Sequence, residues 1–238
     1  MLEGTPSSSE DTALIYPEGC FEIILSFDAA TRWVSDNQEI DLQSSFISPI
    51  RTSYYDIHPQ GHVEYLGIRF LPTTLPFIGH PAVEYGNKAI NLDEVLDMKM
   101  RTLLAPVYSM ETMSERISYL EKMFVNLLID HEYYHPNDFN VAINLIHQYA
   151  GKIPIQSICE LSDLYPRKLE RYFDQFMGVT PKTYARIVRF NFAAQTFLAS
   201  PEKGVTDLIY QAGYADQAHF IRECREFTGR TPGALLVL

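Results

Sequence analysis

Leu169-Glu-Arg-Tyr-Phe-Asp-Gln-Phe-Met-Gly-Val-Thr-Pro181 and Phe220-Ile-Arg-Glu-Cys-Arg-Glu-Phe-Thr-Gly-Arg-Thr-Pro232 are two versions of one pattern. A shift of 51 places Ile158 on Ile209, Leu169 on Phe220, Arg171 on Arg222, Gly178 on Gly229 and Thr180-Pro181 on Thr231-Pro232. Self-similarity at a fixed period marks two copies of one supersecondary unit. Each unit reads as a short helix, a tight turn and a second helix that stops at a glycine. Glycine takes the left-handed C-terminal conformation freely, and Thr-Pro then caps and starts the next helix. The pattern predicts units over 154–178 and 205–229, joined by a helix over 181–199 that Ser200-Pro201 ends.

The second helix of each unit has two faces. At about 100° per residue, Leu169, Tyr172, Phe173 and Phe176 share one face, and Arg167, Glu170, Arg171 and Asp174 the opposite one. In the second copy Phe220, Cys224 and Phe227 form the core face, with Ala218, Arg222 and Arg225 outside. A single basic helix face is ordinarily solvated surface. Two in register, each with an arginine at the same place, fit the major groove of double-stranded DNA, where forked guanidinium donors match guanine edges and phosphates. The joining helix of about 19 residues spans roughly 28 Å. One duplex turn is about 34 Å, so the two helices are expected to enter successive major grooves on one side.

Residues 139–238 resemble the DNA-binding domain of the AraC/XylS family of bacterial transcription regulators. The likeness rests on Ile158-Cys159, Leu169-x-Arg171-x-Phe173, Gly178-x-Thr-Pro181, Ile209, Ala212-Gly213-Tyr214, Phe220-x-Arg222 and Gly229-x-Thr-Pro232. It implies two helix-turn-helix subdomains, with base-reading positions at Arg167, Glu170, Arg171, Gln217, Ala218, His219, Ile221 and Arg222. Three residues depart from the family's pattern. Asp163 stands where the first turn usually has glycine, and Asp tolerates the left-handed conformation better than most residues. Tyr165 replaces a small hydroxyl residue at the start of the first reading helix, removing the usual cap. Cys224 takes the place of a core phenylalanine, which predicts looser packing there.

The N-terminal half differs in charge and in periodicity. The chain of 238 residues carries a formal −11, which on its face opposes a nucleic-acid partner. Residues 1–136 hold 8 basic and 20 acidic side chains, a net −12, whereas 137–238 hold 11 and 10, a net +1. With Pro136 stopping any preceding helix, the charge step places a linker at 132–138 between a domain over 1–131 and one over 139–238. Phe21–Phe27, Phe46–Ile50 and His62–Phe70 are short, β-branched and aromatic, so residues 14–70 are read as a small antiparallel β sheet or barrel and 92–131 as helical. The fold class is α+β, with an all-α C-terminal domain. Met110, Met113, Ile117, Leu120, Phe124 and Leu127 form an a/d seam, suited either to packing on a helix over Leu92–Leu104 or to homodimerisation through helix 110–131. Tyr16–Ile24, Leu66–Pro72 and Gly79-His-Pro81 resemble a sensor-like domain found ahead of this DNA-binding domain. That resemblance implies a cupin-like fold that takes a small-molecule or protein effector.

Other motifs are weaker. His131-Glu-Tyr-Tyr-His135 matches the HExxH zinc-hydrolase signature, but Pro136 breaks the helix that chemistry needs, and a chance match in the linker is the preferred reading. His58, His62 and Glu64 lack the cupin HxH pair and are read as surface or hydrogen-bonded groups. Arg51 and Arg69 are read as ion-pair partners of nearby carboxylates. Cys20, Cys159 and Cys224 form no CxxC pair and read as small, reduced core residues. No apolar run approaches the ~18 residues of a membrane span. The expectation is a cytoplasmic regulator, not an enzyme, without cofactor or metal, whose partners are duplex DNA, an effector and RNA polymerase. The alternatives are a zinc-dependent hydrolase through His131, Glu132 and His135, or a protein-interaction module in which the paired units bind another protein and not DNA.

Overall fold

The structure, a computed structural model, describes residues 13–27, 32–35, 41–43, 45–60, 64–70, 72, 88–130, 136–199 and 209–235. The N-terminal half is built on two four-stranded antiparallel sheets. One has the order β7-β2-β5-β8, from β2 (Phe21–Ser26), β5 (Phe46–Ser48), β7 (Tyr65–Phe70) and β8 (Ile90–Asn91). The other runs β1-β6-β3-β4, from β1 (Ala13–Ile15), β3 (Arg32–Ser35), β4 (Asp41–Gln43) and β6 (Tyr55–Gln60). β2 sits between β5 and β7, in register from Phe21 opposite Phe70 to Ser26 opposite Tyr65, and all six of its residues are buried. Strand β6 contains Pro59, which cannot donate to a ladder and so hides the strand from a reading of composition. Its pairing with β1 ends at Ile57, so at Pro59 only the β3 side is paired among the described residues.

The single helix expected over Leu92–Leu104 is two: α1 (Leu92–Val95) and α2 (Met98–Leu104). Asp97 causes the break, because its carboxylate accepts from the Met100 amide at 2.7 Å and caps a new helix. A 3₁₀ turn (Ala105–Ser109) leads to α3 (Met113–Asp130). Met110 lies outside α3. The helix starts where Thr112 and Glu115 cap each other: the Thr112 hydroxyl accepts from the Glu115 amide at 3.3 Å, and the Glu115 carboxylate from the Thr112 amide at 3.1 Å. The seam packs within the chain. Leu120 and Leu127 are buried, and Phe124 meets Phe70 edge-on with ring centres 5.1 Å apart. Arg116 pins the helix to the sheet: its guanidinium pairs with Glu64 at 2.7 Å, donates to the Met110 carbonyl at 3.0 Å and lies 3.8 Å from the Phe27 ring centre.

Six helices of the C-terminal domain are described: α4 (Asn137–Gln148), α5 (Ile155–Ser162), α6 (Pro166–Met177), α7 (Pro181–Ala199), α8 (Gln217–Thr228) and α9 (Pro232–Leu235), with a helical turn at 209–211. The long helix α7 is the spine. Tyr184 packs on Phe173 of α6 at 5.8 Å, and Phe190 on Phe227 and Phe220 of α8 at 5.3 and 6.4 Å. The N-terminal domain meets α7 as well. The Tyr184 hydroxyl donates to the Gly19 carbonyl at 3.3 Å, Asn191 donates to the Pro17 carbonyl at 3.1 Å, and the Tyr16 ring stands edge-on to Phe190. At the other end of the interface the Tyr54 ring lies against Gly229, where a Cβ would come within 2.3 Å of Tyr54 Cζ.

Candidate nucleic-acid interface

The first unit pairs α5 with α6 across a turn in which Asp163 holds φ 55°, ψ 37°. Asp163 thus does the work of the glycine that usually stands there. The Leu164 amide closes the turn on the Cys159 carbonyl at 2.9 Å. In the second unit Gly213 has φ +78°, and the Tyr214 amide bonds to the Ile209 carbonyl at 3.1 Å. Asp163 is therefore equivalent to Gly213, and Cys159 to Ile209, at a spacing of 50. The shift of 51 returns only at the helix starts, Pro166 and Gln217. Ile158 on Ile209, matched by sequence, is thus corrected by one position. The second turn is one residue longer, and its added length ends in the cap. Asp216 accepts from the His219 amide at 2.7 Å, whereas Tyr165 before α6 makes no side-chain cap.

Both reading helices present the faces expected of them. On α6, Leu169, Tyr172 and Phe173 are buried, Phe176 is half-buried, and Arg167, Glu170, Arg171 and Asp174 are exposed. On α8, Phe220, Cys224 and Phe227 are buried, while Gln217, Ala218, Arg222 and Arg225 are exposed. His219 and Ile221 are half-buried, and the His219 ring packs edge-on against Tyr214 at 5.2 Å. Cys224 is enclosed, its sulfur 3.3 Å from the Arg230 carbonyl. Gly178 and Gly229 end the two helices at φ 66° and 68°.

A buried acid fixes the second reading helix, and the helical wheel gave no sign of it. Glu223 is 1% exposed, immediately after Arg222. It accepts from Arg186 at 2.8 Å, from Arg189 at 3.0 and 3.1 Å, and from the Tyr214 hydroxyl at 2.5 Å. Burial, then the neighbouring carboxylate, raises the Tyr214 pKa, so the hydroxyl stays a donor. A carboxylate with this many charge-assisted bonds holds the helix that carries Arg222 in one rotation. Arg186 also reaches Glu226 at 2.6 Å. On the first unit the lighter counterpart is Lys168 of α6, paired with Asp138 of α4 at 2.6 Å.

The remaining candidates lie elsewhere. Arg69 pairs with Glu18 at 2.8 Å and Glu22 at 3.1 Å, and Arg51 lies 3.7 Å from Glu22 and donates to Ser48. Glu64 is taken by Arg116. His131, Glu132, His135, His62 and the side chain of His58 lie outside the described residues, as does 201–208 at the start of the second unit. Among the described residues no cluster of three His, Cys, Asp or Glu is arranged to hold a metal, and no helix is long and apolar enough to cross a membrane. The thiols are free. Burial, with Glu18 and Glu22 nearby, pushes Cys20 up to about 11, and burial raises Cys159 and Cys224.

Comparison with known proteins agrees with this geometry. The profile of a helix-turn-helix domain matches residues 158–236, and that of a domain of unknown function (DUF6597) matches 2–91. Curated relatives include the uncharacterized HTH-type transcriptional regulators YtdP and YdeC of Bacillus subtilis. They are 23% identical over 178 residues (69% of this chain, 23% of YtdP) and 30% over 91 residues (38% of this chain, 31% of YdeC). The HTH-type transcriptional activator RhaS of Escherichia coli is 33% identical over 72 residues, 30% of this chain and 26% of RhaS. The chain thus spans under a third of the length of these relatives. Among solved structures, ToxT from Vibrio cholerae superposes with a TM-score of 0.51 at 12% identity, over 95% of this chain and 94% of that one. That likeness extends the shared fold to the N-terminal half. Residues 158–236 thus carry a helix-turn-helix domain, and the chain is similar to HTH-type transcriptional regulators and shares the fold of ToxT.

Proposed function

We propose that the chain is a sequence-specific, DNA-binding transcription regulator that engages two successive major grooves on one side of a duplex. The observation that carries this reading is the pair of outward guanidinium faces, Arg167 and Arg171 on α6 and Arg222 on α8, on helices that both pack on α7. Base edges are read by Arg167, Glu170 and Arg171 in one groove, and by Gln217, Ala218, His219, Ile221 and Arg222 in the next. Their half-buried positions make His219 and Ile221 contributors from the flank of α8. The domains of the regulator are 1–131 and 139–238, with the first helix of the second domain beginning two residues earlier at Asn137, and it acts in the cytoplasm without catalysis of its own.

An effector at the N-terminal domain, contact with RNA polymerase and self-association through residues 110–131 complete the reading. Their support is the family likeness and, for self-association, Val125 of α3, 51% exposed beside the packed seam. Genome-wide mapping of bound DNA tests sequence specificity and yields the cognate site. On that site Arg222→Ala is expected to weaken binding by about 1–3 kcal/mol, roughly 5- to 150-fold in Kd. Unchanged affinity in a fluorescence-anisotropy titration would remove Arg222 from the interface.

A further inference from the structure

A cleft of about 670 Å³ opens between the two reading units. Its floor is α7, one wall is the loop from Gly151 into the start of α5, and the other wall is the flank of α8. Five cationic side chains line it, Lys152, Lys182, Arg186, Arg189 and Arg222, against two anionic ones, Glu223 and Glu226. In a chain of net −11 this is a local excess of positive charge. The five cations are not equivalent. Arg186 and Arg189 are held by Glu223 and Glu226. Lys152 donates to the Gln211 carbonyl at 3.1 Å and lies over the Phe192 ring, tying the first unit to the second. Lys182, on the α7 floor, and Arg222, on the α8 wall, are exposed, and among the described residues neither side chain has an ion pair or hydrogen bond.

The position of this cleft follows from the topology. Lys182 is the second residue of α7, reached from α6 through Gly178-Val-Thr-Pro181, and Arg222 is on the outward face of α8. The cleft therefore lies between the loop that enters the first unit and the second reading helix, over the start of α7. A duplex engaged by both helices carries its sugar-phosphate backbone across that interval. Lys182 also conflicts with its own helix, since a cation in the first turn opposes the macrodipole. A residue that works against local stability and lacks an internal partner fits a role toward a ligand.

We propose that the cleft seats the DNA backbone between the two reading units, with Lys182 on its floor and Arg222 on its α8 wall neutralising the phosphates. The inference rests on the DNA-binding reading above. It makes Lys182 a sequence-independent contact and gives Arg222 a phosphate contact alongside its base edge.

The test uses the full chain, the mapped cognate duplex and a random duplex of equal length, with Kd measured by anisotropy from 50 to 200 mM salt. For wild type, log K falls against log salt in proportion to the phosphates neutralised. Lys182→Ala is expected to weaken both duplexes by the same factor, about fivefold at 0.15 M salt, and to lower the slope by about 1. Lys182→Arg restores the slope. Because the lysine opposes the dipole, the alanine variant keeps its fold, which circular dichroism checks. If wild type binds with a steep slope and Lys182→Ala changes neither affinity nor slope, the cleft is not a backbone seat, although the DNA reading survives. If Lys182→Ala weakens the cognate duplex alone, Lys182 reads sequence and the proposal is overturned. If wild type binds neither duplex with salt dependence, the DNA reading itself fails.

Discussion

Glu223→Ala is expected to cost about 3 kcal/mol of stability and to lower the Tm by about 10 °C in a circular-dichroism melt. The carboxylate is 1% exposed and receives two guanidinium groups and a phenol. Removing it leaves Arg189, only 16% exposed, without its counter-charge and Tyr214 without an acceptor. Breaking a buried pair from one side costs about 3–5 kcal/mol, because the surviving charge remains desolvated. The low end applies here. Arg186 is 30% exposed, keeps Glu226 as a partner and can turn to water. Glu223→Gln keeps an acceptor and is expected to lose less, so the order alanine, then glutamine, then wild type separates charge from packing. Equal melting of all three would mean that the network holds nothing. DNA binding should fall with Glu223→Ala more than folded fraction alone explains, because Glu223 fixes the rotation of α8 on which Arg222 projects.

Gly151→Ala is expected to destabilise by about 3 kcal/mol or more, read as a lower urea midpoint. Gly151 has φ +70°, a conformation that costs an L-residue about 1–2 kcal/mol. A Cβ there would lie 2.1 Å from the Ala185 carbonyl oxygen and 2.7 Å from the Arg189 amide nitrogen. Both are backbone atoms of α7, so relief requires the α4–α5 corner to move away from the spine. The control is Gly233→Ala, where nothing lies within 4 Å and little change is expected. A midpoint equal to wild type for Gly151→Ala would mean that the corner does not pack as closely as described.

The parts of this molecule set by local pattern were legible in the sequence. Gly178 and Gly229 end their helices as the repeat predicts, Asp163 takes the left-handed turn, and the core and outward faces of α6 and α8 fall where a 3.6-residue period puts them. What long-range contact decides was not. Glu223 looks like any surface acid in Arg-Glu-Cys-Arg-Glu until Arg186 and Arg189, 37 and 34 residues away, are folded onto it. The two-residue break between α1 and α2 turns on one carboxylate cap, and strand β6 is disguised by Pro59. The extra residue in the second turn escapes a fixed 51-residue shift, because the repeat is anchored by the reading helices on one side of it. Lys182 gave no signal of its own. Its meaning comes from lining one cleft together with Arg222.

The interface on α7 also sets a sequence of events in time. Pro17 and Asn191, joined by a hydrogen bond, are 174 residues apart. At about 5–20 residues per second of synthesis, the carbonyls of Pro17 and Gly19 wait roughly 10–35 s for their partners on α7 to be made. The strands that flank the Tyr16–Cys20 turn pair with residues no later than Phe70, so the sheets can close long before α7 exists. The join between the two halves is therefore the last contact of this set to form, and the turn around Gly19 is the surface a nascent-chain chaperone would have to shield.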